Sequence, residues 1–190
     1  MAKYNIAVKV GHTKTAKGAY SPTIGESEYD YNLDVANFLA SLSNDQVQID
    51  VYTFDEKISS YTKRQKAVSD VLNKKNYDLV IELHYNAAES NTARGAYSLY
   101  YYKSVKGKEA ALIIGNSIFD EFRIERDGDV GLNSDKQNGY QAVVTPKAVA
   151  ILIEPFFGSN PVESEHFKGT SGKKRLASAI FKGVLKYLKI

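Results

Sequence analysis

The run DLVIELHYNAA, residues 78–88, decides how this chain folds. It is apolar enough to be a strand covered on both sides. It does not stop at a turn but delivers His84, and then the amide of Asn86, at its last step. Three other short β-branched or aliphatic runs resemble it, at 4–10, 47–53 and 149–154, and helical patterns lie between several of them. Such alternation predicts an α/β fold: one domain with a mostly parallel sheet of about six strands and helices on both faces.

Working outward, apolar positions at helical spacing predict helices over 28–42 (Leu33, Ala36, Leu39, Leu42), 61–73 (Val68, Val71, Leu72) and 108–122 (Ile114, Ile118, Phe122). The clearest comes last, with Leu176, Ile180, Gly183, Val184, Tyr187 and Leu188 on one stripe. GAYSLYYYKS (95–104) and YQAVVT (140–145) read as two further strands. The stretches 11–25 and 126–139, rich in Gly, Ser, Thr, Asn and Asp, read as exposed loops. No repeat, linker or low-complexity tract divides the chain, so 1–190 is expected to be a single domain with no second binding module.

Composition narrows the function. With 190 residues, 43% of them hydrophobic, the chain can bury one good core. Its net charge of +3 is a diffuse lysine excess, too weak to argue for a nucleic-acid partner. The cluster Lys173, Lys174, Arg175 opens a helical pattern and reads as a solvated face. Cysteine is absent, which excludes disulfides, thiolate metal sites and cysteine nucleophiles, so any metal must be held by histidine and carboxylate. MAKYNIAVKVGH has no apolar core or cleavage site of a signal peptide, and no run reaches transmembrane length. The expectation is a product made in the cytoplasm that does not insert into membranes.

In open α/β sheets, ligands bind at the carboxyl ends of the strands. Here YNIAVKV runs into Gly11-His12, YDLVIEL into His84 and AVAILI into Glu154. A lone histidine at a strand end is ordinarily a hydrogen-bonded surface group. A glutamate ending an apolar run is less ordinary, because an unpaired buried carboxylate is costly. If the strands are parallel, all three groups meet on one edge. Two histidines and a carboxylate with a fourth position open is a catalytic zinc arrangement. No His-Glu-x-x-His helix exists, so the histidines would come from separate strands, and Glu26 and Glu28 are both candidates for the third ligand.

VKVGH, GESEYDYNLDVANFL, DLVIELHYNA, GAYSLYY and AILIEPFFGSN occur in the order found in zinc-dependent N-acetylmuramoyl-L-alanine amidases of the amidase-3 type. The chain most resembles the catalytic domains of phage endolysins in that family. The family's G-x-x-E, with leucine five and alanine eight positions after the glutamate, is matched by Gly25, Glu28, Leu33 and Ala36, and not by Glu26. Its S-x-H-x-N-A is matched by Glu82, His84, Asn86 and Ala87, with glutamate in place of serine. Its V-E-x-x-F-x-S-N is matched by Ile153, Glu154, Phe157, Ser159 and Asn160.

The resemblance implies zinc held by His12, Glu28 and His84, with Glu154 as the catalytic carboxylate and Asn86 as a substrate or loop-ordering contact. It implies peptidoglycan as substrate, cut between N-acetylmuramic acid and L-alanine, and access to the cell wall through a holin-like pore. The chain departs from the family in TKTAKGAYSPT after the first histidine and in Pro155 after Glu154, which bears on substrate preference. His166 matches nothing in the pattern and reads as a surface residue. Of the fourteen tyrosines, Tyr97, Tyr100, Tyr101 and Tyr102 cluster; strand alternation assigns at least two of them to packing. Two alternatives share these features: another zinc amidohydrolase or peptidase on a related sheet, and a wall-binding module without catalysis.

Overall fold

Burial on both faces puts the three most apolar runs at the centre of a sheet. In the computed structural model, which describes residues 3–190, the chain runs β1 (Tyr4–Val10), β2 (Tyr20–Ser21), β3 (Glu26–Ser27), α1 (Glu28–Ala40), β4 (Val47–Tyr52), α2 (Tyr61–Leu72), β5 (Leu79–Leu83), β6 (Ala96–Tyr101), α3 (Val105–Phe122), β7 (Arg126–Leu132), α4 (Tyr140–Val144), β8 (Ala150–Glu154), α5 (Pro161–Phe167) and α6 (Gly169–Leu188). Six strands form one sheet in the order β4-β1-β5-β8-β6-β7, and β2 pairs with β3 in a separate antiparallel ribbon. From β4 to β8 every pairing is parallel; β6 runs antiparallel to β8, and β7 parallel to β6.

Alternation along the strands feeds two layers. Ile6, Val8 and Val10 of β1, Ile81 and Leu83 of β5, and Ile151 and Ile153 of β8 point into a core closed by α1, α3 and α6. The other face packs Ala7, Val80 and Ala150 on Leu72 of α2, and Leu99, Leu132 and Leu152 on Ala142 and Val143 of α4. Ser27, Ser60, Ser104 and Asn160 each accept a backbone N–H at a helix start, satisfying donors the helix itself leaves unpaired. Where α6 crosses α3, a Cβ on Gly183 would lie 2.8 Å from the Ile114 Cα, so a side chain there would force the helices apart. No helix among the described residues is long and apolar enough to cross a membrane.

Several expectations need correction. YQAVVT is not a strand: residues 140–144 form the short helix α4, whose Ala142 and Val143 cover the sheet. A short apolar run has no period long enough to tell the two apart. The loop expected at 126–139 contains β7, a polar edge strand held to β6 by the ladder and by the Tyr97 hydroxyl donating to Asp127 at 2.5 Å. Within the loop expected at 11–25 lies β2, and α5 was not anticipated at all. Val71, assigned to the core, is 50% exposed.

The basic cluster is not a uniformly solvated face. Lys173 is buried, its Nζ 2.6 Å from Glu26 Oε2 and 2.7 Å from Asp34 Oδ2. Burial alone would lower the Lys173 ammonium pKa, but the two carboxylates hold it above its usual value. This triad fastens α6 to β3 and α1, and it commits Glu26 to a structural pair. Among the clustered tyrosines, Tyr100 is buried and Tyr102 is exposed.

Candidate metal centre

β1, β5 and β8 lie side by side and parallel, so their carboxyl ends share one edge. Just past β1 the chain makes Gly11 and His12, with Gly11 N donating to Leu83 O at 3.0 Å. The His84 ring occupies the space where a Cβ on Gly11 would sit, so only glycine permits the approach. His12 follows at φ 66°, a left-handed conformation rare outside glycine, which swings its ring toward Glu28.

Glu28 is the first residue of α1 and is 4% exposed. Its two oxygens serve different partners. Oε1 lies 2.7 Å from His84 Nδ1 and accepts from Tyr85 N at 3.2 Å. Oε2 lies 3.0 Å from His12 Nε2 and accepts from Ala19 N at 3.4 Å. The rings of His12 and His84 meet edge to face with centroids 5.1 Å apart. One ligating atom from each of His12, Glu28 and His84 lies within 4.8 Å of the others. Tyr85 secures the surroundings, its hydroxyl donating to Ala19 O at 2.8 Å and Glu26 O at 3.2 Å.

Burial and charge act against each other at this cluster. Burial would raise the Glu28 carboxyl pKa, but the two histidines hold it down at about 2. Burial would lower the His84 pKa, but Glu28 and Glu82 push it up to about 10. Two imidazoles and a carboxylate converging in this way form a donor set that suits zinc.

Glu154, at the end of β8, carries a carboxyl whose pKa is raised by burial; the nearby His84 opposes that shift and Glu28 reinforces it. A glutamate so placed takes up a proton more readily than one in water. Asn86 is tied into its loop: Oδ1 accepts from Ala87 N at 2.8 Å, its backbone N donates to Phe156 O at 2.9 Å, and its carbonyl accepts from Gly158 N at 2.7 Å. His166 lies elsewhere, exposed on α5 beside a cavity of about 670 Å³ whose lining includes Arg94 and Arg123 and none of His12, Glu28, His84 or Glu154.

Sequence reasoning missed what lies behind His84. Its Nε2 sits 3.0 Å from Glu82 Oε1, and Glu82 is fully buried with Lys9 Nζ 2.6 Å from its Oε2. The signal was present: opposite charges interrupt two central apolar runs, at positions that the parallel register pairs.

A family model described as N-acetylmuramoyl-L-alanine amidase matches residues 6–186. Among curated proteins, the chain is similar to the germination-specific N-acetylmuramoyl-L-alanine amidase of Bacillus subtilis (strain 168), 29% identical over 62% of this chain and 47% of that protein. It is also similar to the probable cell wall amidase LytH of Staphylococcus aureus, 25% identical over 96% of this chain and 57% of the relative. The chain thus spans about half the length of the curated relatives it matches. Among solved structures, the N-acetylmuramoyl-L-alanine amidase from Clostridium difficile 630 superposes with a TM-score of 0.82 at 28% identity, covering 100% of this chain and 98% of that one. The catalytic domain of the CD27L endolysin targeting Clostridia Difficile superposes with a TM-score of 0.78 at 28% identity, covering 96% of this chain and 97% of that one.

Proposed function

Because the chain belongs to the N-acetylmuramoyl-L-alanine amidase family, we propose that it hydrolyses the amide between N-acetylmuramic acid and L-alanine in peptidoglycan with zinc held by His12, Glu28 and His84. The observation that carries this reading is the convergence of those three side chains, from three separate elements, at the strand edge where Glu154 also ends. When bound, zinc supplies Lewis acidity, polarising a carbonyl and acidifying water. Glu154 supplies the proton traffic. Its carboxylate takes a proton from the water whose oxygen bonds to the lactyl carbonyl carbon, and returns it to the alanine nitrogen as the C–N bond breaks. Its raised pKa suits both halves of that cycle. Asn86 orders the loop that follows His84.

We place the activity in lysis from within, as an endolysin-like catalytic unit reaching the wall after release from the cytoplasm, on the similarity to the CD27L catalytic domain.

The test is wall digestion by the purified, zinc-loaded chain. Amidase action releases new L-alanine amino termini and no new reducing sugar ends. Glu154→Gln should keep stoichiometric zinc and the fold while losing at least about a hundredfold in activity, the lower end for general acid-base catalysis. Glu28→Ala should lose zinc. A zinc-free protein with full activity, or an active Glu154→Gln, would sink the mechanism; new reducing ends would sink the substrate assignment.

A further inference from the structure

Lys9, Gln65 and Glu82 form a polar knot in the layer between the sheet and its α2/α4 covering, and all three are 0% exposed. Lys9 on β1 and Glu82 on β5 are register partners. Lys9 Nζ lies 2.6 Å from Glu82 Oε2, and donates to Gln65 Oε1 at 2.8 Å and to Ala142 O at 3.1 Å. Gln65 Nε2 donates to both Glu82 oxygens, at 2.7 and 2.8 Å. One further partner leaves the knot toward the edge of the sheet: His84 Nε2, 3.0 Å from Glu82 Oε1.

Stability gives little reason for this arrangement. Replacing a buried ion pair by well-packed apolar groups is often neutral or favourable. What the knot does supply is direction. An imidazole that binds a metal through Nδ1 keeps its proton on Nε2, and that N–H needs a fixed acceptor. We propose that Glu82, clamped by Lys9 and Gln65, is a positioning residue that grips His84 Nε2 and so aims Nδ1 at Glu28 and the metal position. The clamp matters because a free carboxylate could rotate; here α2, through Gln65, and α4, through Ala142, set where Glu82 Oε1 sits. The metal half of this inference rests on the proposed function, whereas the grip on the ring does not.

Removing Glu82 alone would strand the Lys9 charge, so both change together. Lys9→Met/Glu82→Leu removes the acceptor with an apolar replacement, and Lys9→Met/Glu82→Gln retains a neutral one. Zinc affinity is read by competition with a chromophoric chelator, fold by the thermal midpoint of the metal-free proteins, and ring position by their crystal structures. We expect the leucine variant to lose about ten- to a hundredfold in zinc affinity, the usual cost of losing such a partner. It should keep its thermal midpoint, with the His84 ring displaced from its present rotamer. The glutamine variant should fall between it and the parent, and it carries the comparison if the leucine variant does not fold. Unchanged affinity together with an unmoved His84 ring overturns the proposal. If the parent itself binds no zinc, the functional reading fails, and the ring position alone then decides the positioning role.

Discussion

His12 and His84 each close a strand, yet their surroundings give them unequal freedom. The His12 side chain is 33% exposed and leans on Glu28, whereas His84 is 15% exposed and held at both ring nitrogens by carboxylates. His166 shares none of these partners. His166→Ala is therefore expected to leave wall digestion within tenfold of the parent; a larger loss, about 1.4 kcal/mol of transition-state stabilisation, would bring it into the site. At this scale the strand-end residues were legible because their positions follow from the sheet alone. The burial of Lys173 was not, because it depends on Glu26 and Asp34, which lie far away in sequence and meet it only in the fold. Choosing Glu28 over Glu26 as the third acid was equally closed to spacing and needed the family pattern. The structure turns the two side chains to different work, Glu26 to Lys173 and Glu28 to the histidines.

Among elements, the apolar strands and the long periodic helices were readable, and the remaining pieces were not. α1, α2 and the central strands emerge close to the expected bounds, while α6 begins at Gly169, a polar turn or more before its apolar stripe. α4 and β7 fail for opposite reasons: one is too short to show a period, the other too polar to show alternation. The start of α5 was written in Asn160-Pro161, a side-chain cap followed by a residue preset for the first turn. Packing between elements yields a sharper test at Gly183. Alanine is the better helix former by about 1 kcal/mol, but its Cβ would press on the Ile114 backbone, and overpacking typically costs about 1–3 kcal/mol. Gly183→Ala should thus lower the thermal midpoint by roughly 2–4 °C for about 1 kcal/mol of net loss. A raised midpoint would show that α6 rides off α3 without strain.

For the whole molecule, the proposed metal position is a junction. His12 follows β1, Glu28 opens α1 and His84 follows β5, so an ion bound there would tie the first loop to the sheet. At a hundredfold excess over its Kd, zinc should add about 2.7 kcal/mol to native stability, or roughly 5–10 °C in thermal midpoint. Thermal unfolding with and without a chelator measures it, and coincident curves would mean that the cluster binds no zinc.

The sheet order carries one more consequence, for the moment of synthesis. β5 is flanked by β1, made long before it, and by β8, made long after. Parallel strands so far apart in sequence pair slowly, since loop closure comes before the reward of contact. A nascent chain that has emerged only as far as His84 holds His12, Glu28 and His84 but presents an unpaired sheet edge and lacks Glu154. The proposed hydrolytic competence would therefore arrive late in translation, and a ribosome stalled midway would carry a chain without its proposed general base.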